Sequence, residues 1–103
     1  MSEKTYAEIN VDVNEEGYLT DLNQWSKDVA IDIAAEEGIE LGEKHWQVLD
    51  YLQNQYKNEI PITIRKVGKS GVVDIKEFYQ LFPNGPLKKA SRIAGIQKPV
   101  SCI

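Results

Sequence analysis

Glu43-Lys44-His45-Trp46-Gln47-Val48-Leu49-Asp50-Tyr51-Leu52-Gln53-Asn54-Gln55-Tyr56-Lys57-Asn58 is the longest helix-periodic stretch of the chain. His45, Trp46, Leu49, Leu52 and Tyr56 recur at the spacing of one helix face. Gly42 can serve as N-cap, and Glu43 places an acid at the positive end of the helix dipole. The stretch therefore predicts a helix over 43–58 with a one-sided apolar stripe, which needs other elements to cover it.

Working upstream, Trp25, Val29, Ile33 and Ala34 predict a helix over 22–37, stopped by Gly38. Before it, Ile9, Val11 and Val13 alternate with Glu8, Asn10 and Asp12, the period of a half-buried strand over 6–13. Asn14-Glu15-Glu16-Gly17 reads as a turn and Tyr18-Leu19-Thr20 as the return strand. Downstream, Pro61 is placed at the first position of a short helix ending near Gly68. Asp74-Ile75-Lys76-Glu77 starts a helix carrying Ile75, Phe78, Tyr79 and Phe82. Pro86 opens a last helix through Ala94, with Gly95 as its stop. The predicted fold is mainly α (α+β) in a single domain over 1–103. It has an N-terminal β-hairpin at 6–20, a bundle of five short helices at 22–94 and a flexible C-terminal arm at 95–103.

Composition agrees: 103 residues, 42% hydrophobic and 27% charged, is the profile of one globular domain, neither disordered nor collagen-like. One cysteine excludes an internal disulfide. Met1 to Tyr6 shows no apolar run behind a basic cluster, so the expected compartment is the cytoplasm, with no membrane partner. The net charge of −4 is unevenly spread. Residues 1–59 hold 14 acids against four bases, whereas residues 60–103 hold eight bases against two acids. Such a split either offers a positive face to an acidic partner or a phosphate backbone, or neutralises itself across the fold.

Several chemistries are missing from the sequence. No P-loop, dinucleotide fingerprint or paired Cys/His ligand spacing occurs, and no metal or organic cofactor is expected. His45 lies on a buried stripe and reads as structural. Glu15-Glu16, Glu36-Glu37, Glu40 and Glu43 read as solvated acids at turns and helix ends. Ile62 to Leu81 outlines a helix-turn-helix with Arg65, Lys66, Lys69 and Lys76, which makes a DNA-binding regulatory module one functional reading. The second helix offers only Lys76, Glu77, Tyr79 and Gln80, a thin set for reading bases, so direct nucleic-acid binding is disfavoured. Cys102 stands apart. It is penultimate, follows Lys98-Pro99, and has no periodicity around it to bury it. A thiol so placed suits a carrier that enters another protein's pocket and leaves with a covalent cargo.

Leu81-Phe82-Pro83-Asn84-Gly85-Pro86-Leu87-Lys88-Lys89-Ala90-Ser91-Arg92-Ile93-Ala94-Gly95-Ile96-Gln97-Lys98-Pro99-Val100-Ser101-Cys102-Ile103 closely resembles the C-terminal signature LFPxGPxKxAxxIAGxPKPxxCx of the TusE/DsrC family. Asp12, Glu16-Gly17-Tyr18-Leu19, Trp25, Glu37-Gly38-Ile39, Leu41, His45-Trp46, Pro61 and Arg65 extend the resemblance over nearly the whole chain. The resemblance implies a hairpin, an orthogonal helical bundle and a mobile arm whose penultimate cysteine is the functional group. It implies a sulfur carrier that holds a transient persulfide on Cys102 and passes it along a relay that thiolates the wobble uridine of tRNA. An alternative within the family is association with dissimilatory sulfite reductase, as its gamma subunit. The implied partners are sulfur-relay donor and acceptor proteins, a tRNA-thiolating enzyme or sulfite reductase. Members of the DsrC type bridge the penultimate cysteine to a second one eleven positions earlier; that position here is Ser91, which excludes the intramolecular trisulfide. Gln97 also replaces the signature's proline. On this reading Gly95 is the hinge, Lys98 and Pro99 belong to the arm, and Arg65, Lys88, Lys89 and Arg92 steer partners.

Overall fold

A computed structural model describes residues 2–98. Two strands, β1 (Ser2–Tyr6) and β2 (Ile9–Val13), pair antiparallel with Tyr6 opposite Ile9 and Ser2 opposite Val13. A 3-10 turn at Leu22–Gln24 precedes α1 (Lys27–Glu36). Then come α2 (Glu43–Lys57), α3 (Ile64–Lys69), α4 (Ile75–Leu81) and α5 (Pro86–Ile93). The hairpin and five helices are thus present, but several boundaries differ from the sequence reading.

The hairpin sits earlier than 6–20. Its two-residue turn is Ala7-Glu8, with φ of 52° and 64°, the geometry that hairpin twist favours but that usually selects Gly or Asn. The Asp32 carboxylate accepts the Ala7 N–H at 2.6 Å and helps hold this unusual pair in place. The Asn14–Gly17 turn also forms, but the segment after it returns only as a single bridge between Val13 and Leu19.

The helix expected over 22–37 is broken at Trp25-Ser26. Ser26 is extended and its hydroxyl accepts the Val29 N–H, so α1 starts one residue later. Likewise Thr63, not Pro61, governs the start of α3, because its side chain accepts the Lys66 N–H at 3.1 Å. α3 ends at Lys69, next to Gly68 as expected; a Cβ on Gly68 would stand 2.4 Å from Ile75 Cγ1, so the glycine allows α3 and α4 to approach closely. Asp74 caps α4 as the sequence indicates, accepting the Glu77 N–H at 2.7 Å.

The core gathers Val11, Val13 and Leu19 with Val29 and Ile33 of α1, Leu49 and Leu52 of α2, and Phe78, Phe82, Leu87 and Ile93 further on. Along α2 the buried face runs through Val48, Leu49, Leu52 and Gln53, while Tyr56, expected inside, is exposed. His45 is structural. Its Nδ1 accepts the Gly42 N–H, which leaves the proton on Nε2 to be donated to the Leu81 carbonyl at 3.0 Å. The ring also meets Phe82 edge-on, so a single neutral imidazole ties the start of α2 to the end of α4.

Candidate functional site: the root of the C-terminal segment

Cys102 and Pro99 lie outside the described residues. The body that carries them is described, and it is built around α5. Pro86 sets the first helical position and Gly85, at φ 104°, lets the chain enter it. Pro86, Leu87, Ala90, Ser91 and Ile93 are buried, leaving Lys88 exposed on the opposite face.

The helix ends in a tight cap. Gly95 has φ 76°, its N–H donates to the Arg92 carbonyl, and the Ile96 N–H donates to the Ser91 carbonyl. Ile96 is buried. A Cβ on Gly95 would stand 2.4 Å from Trp25 Cδ1, and the Trp25 indole N–H is itself fixed on the Ile93 carbonyl at 2.8 Å. The Ala94 carbonyl accepts from the buried Gln53 amide at 2.7 Å. Gly95 is therefore a sealed glycine cap and not the hinge expected from sequence. Its need for positive φ is real, but a tertiary wall closes around it. The first exposed residues after the cap are Gln97 and Lys98.

Arg92 is a second correction. Its Nε donates to the Gly17 carbonyl at 3.1 Å, Nη1 to Glu37 at 3.0 Å, and Nη2 to both the Tyr6 hydroxyl and Glu36. Tyr6 in turn donates to Glu36 at 2.9 Å, and Lys4 reaches the same carboxylate. With its donors committed inside the molecule, Arg92 joins α5 to the hairpin and to the end of α1 instead of steering partners. Burial opposes the charge on Arg92, but the hydrogen bonds to Glu36 and Glu37 and the nearby Coulombic field outweigh it and raise its pKa. Desolvation likewise works against ionised Glu36, yet hydrogen bonds from Arg92, Tyr6 and Lys4 hold its carboxyl below the ordinary value. Glu36 and Glu37 are thus acids paired with Arg92, Glu36 remaining exposed and Glu37 half-buried.

Lys88 and Lys89 border a cavity of about 320 Å³ with Glu16, Tyr18, Glu37 and Arg92. The Tyr18 hydroxyl donates to the Lys88 carbonyl at 3.3 Å, and burial raises its pKa. Lys98 pairs with Glu16 at 2.9 Å, beside the same cavity. Of the predicted residues, the structure therefore brings Lys88, Lys89, Arg92, Gly95 and Lys98 together around one end of the molecule. Arg65 is elsewhere: it is exposed on α3 and does not line that cavity. Sequence reasoning gives no site role to Tyr6, Glu16, Trp25, Glu36 or Glu37. One signal was available, since two acids in the last turn and cap of α1 oppose the helix dipole and call for a cation from elsewhere.

Ser91 is fully buried, and among the described residues its Oγ has no hydrogen-bond partner. Among the described residues, no three His, Cys, Asp or Glu side chains are gathered to hold a metal ion, and no helix is long and apolar enough to cross a membrane.

Comparison with known proteins places this geometry. The family model described as DsrC like protein matches residues 5–103. The sulfurtransferase TusE of Salmonella paratyphi A is 41% identical over 102 residues, covering 90% of this chain and 93% of that protein. The NMR structure of Allochromatium vinosum DsrC superposes with a TM-score of 0.84 at 34% identity, covering 98% of this chain and 97% of that one. The oxidised gamma subunit of the dissimilatory sulfite reductase (DsrC) from Archaeoglobus fulgidus gives a TM-score of 0.83 at 31% identity, covering 99% and 100%. A match that begins at the hairpin and runs through the α5 cap to the last residue leaves one conclusion: the chain belongs to the DsrC-like protein family.

Proposed function

We propose that this protein is a sulfur carrier whose working group is Cys102. The observation that carries the reading is the family match, which extends through the penultimate cysteine, together with relatives named sulfurtransferase. In the proposed step the Cys102 thiolate attacks the terminal sulfur of a donor persulfide, R–S–SH. The donor's S–S bond breaks, a new S–S bond forms on Cys102, and R–S⁻ leaves, so the products are Cys102–S–SH and the donor thiolate. Attack by an acceptor on the outer sulfur then regenerates the Cys102 thiolate. No net oxidation occurs, and no metal or organic cofactor is required.

With one cysteine in the chain, no internal disulfide or trisulfide can compete for the cargo. The acceptor in this reading, as the family resemblance implies, is the enzyme that thiolates the tRNA wobble uridine. Lys88 and Lys89 beside the root of the segment suit an acidic partner surface. The likeness to a sulfite reductase gamma subunit favours a second reading, in which the partner is that enzyme. Cytoplasmic location accords with either.

Incubation with a persulfide donor followed by mass spectrometry should show a species about 32 Da heavier, localised to Cys102. The same adduct to the same extent on Cys102→Ser would refute the carrier. Co-purification with a tRNA-thiolating enzyme or with sulfite reductase separates the two partner readings.

A further inference from the structure

Three contacts join the Asn14–Gly17 turn and the residue after it to the C-terminal part of the chain. Tyr18 holds the Lys88 carbonyl, Gly17 receives Arg92 Nε, and Glu16 receives Lys98 at 2.9 Å and 3.2 Å through its two carboxylate oxygens. The first two grip α5 itself. The third grips the chain beyond the cap, two residues after Ile96 and four before Cys102.

The turn is a firm anchor. Asn14 Oδ1 accepts the N–H groups of both Glu16 and Tyr18, and the Asn14 N–H donates to the Tyr18 carbonyl at 2.9 Å. Gly17 adopts φ 86° with Arg92 Nε only 3.2 Å from where its Cβ would be, so the guanidinium packs on bare backbone. By contrast the Glu16–Lys98 pair itself is exposed, at 55% and 38% of side-chain surface. A rigid mount thus bears a weak, solvent-accessible clasp.

We propose that Glu16 is a positioning residue for sulfur transfer: its carboxylate holds Lys98 and so sets the direction in which the Cys102-bearing segment leaves the body. The proposal rests on the carrier reading of Cys102. An exposed ion pair biases a population by no more than about fivefold, which suits a restraint that must yield each time the thiol enters a partner's pocket. It also makes the restraint sensitive to salt, because at 1 M the Debye length is about 3 Å.

The test uses the intact chain with a nitroxide on Cys102 and reads paramagnetic broadening of the amides of residues 14–18 and 85–92. Wild type at low salt should show localised broadening, reduced about two- to fivefold in Glu16→Gln and in Lys98→Gln. The exchanged pair, Glu16→Lys with Lys98→Glu, should restore it, and 1 M salt should reduce it in wild type. No change in either single variant, or a failure of the exchanged pair to restore the pattern, overturns the proposal. Persulfide loading is measured separately on unlabelled protein. A wild type that keeps the broadening but takes no sulfur defeats the carrier reading and leaves the restraint standing.

Discussion

Helices α1 and α5 end on the same device in different surroundings. Gly38-Ile39 and Gly95-Ile96 each place glycine at positive φ, with the following isoleucine N–H returning to a carbonyl of the last turn. Around Gly38 a Cβ would meet nothing within 4 Å, whereas at Gly95 it would strike Trp25. One cap is purely local and the other is a tertiary joint. The two helix ends are also bound to each other, because Arg92 in the last turn of α5 neutralises Glu36 and Glu37 at the end of α1. The same backbone signal therefore carries different loads, and only the side chains packed against it tell them apart.

Paired glycine substitutions probe this contrast most strongly. Gly95→Ala should lose roughly 2–5 kcal/mol, combining left-handed strain with overpacking against an indole that its own hydrogen bond keeps in place. Urea denaturation of that variant beside Gly38→Ala is the measurement; equal losses would mean that the α5 cap is not sealed. Cutting the link between the two ends comes next. Arg92→Met should cost about 2 kcal/mol, less than for a fully buried pair because Glu36 is 40% exposed. An unshifted urea midpoint would show that the two helix ends are uncoupled.

Gly38→Ala itself should cost about 1–2 kcal/mol, the left-handed penalty alone. A smaller effect is expected from acid. Since the Glu36 pKa is depressed below its ordinary 4.5, its contribution is fully present above that value and is lost as pH falls through the lower, folded-state pKa. Screening at its exposed carboxylate keeps the loss under about 1 kcal/mol. Glu36→Gln should flatten that part of a stability profile taken below pH 5, and a profile that keeps its slope would remove Glu36 from the account. Finally, Lys88→Ala with Lys89→Ala should leave stability within about 0.5 kcal/mol while slowing sulfur delivery to an acceptor. Unaltered delivery would leave these lysines without a role in docking.

Much of this architecture was legible along the chain. The α2 periodicity, the Asp74 cap and the Pro86–Gly95 bracket of α5 are local signals, and each appears where the residues place it. What failed depended on distant partners. Ala7-Glu8 carries no turn signature and is held in part by Asp32, 25 residues away. Trp25 fits a helical stripe by its spacing, but its indole is used to close the α5 cap. Arg92 looked like a surface cation because periodicity assigns it to a polar face and cannot reveal the acids waiting there. Cys102 stands out in the sequence by its position and neighbours alone, while the residues that set the root of its segment can be seen only in three dimensions.

The Trp25–Gly95 joint has a mechanical consequence. Tension on the terminal residues meets the weak Glu16–Lys98 pair first and, once that yields, Ile96 and the indole behind Gly95. That anchorage passes the strain to Trp25 ahead of α1, to Gln53 of α2 and to α5 itself, so a pull on the end of the chain is resisted before the last helix unravels.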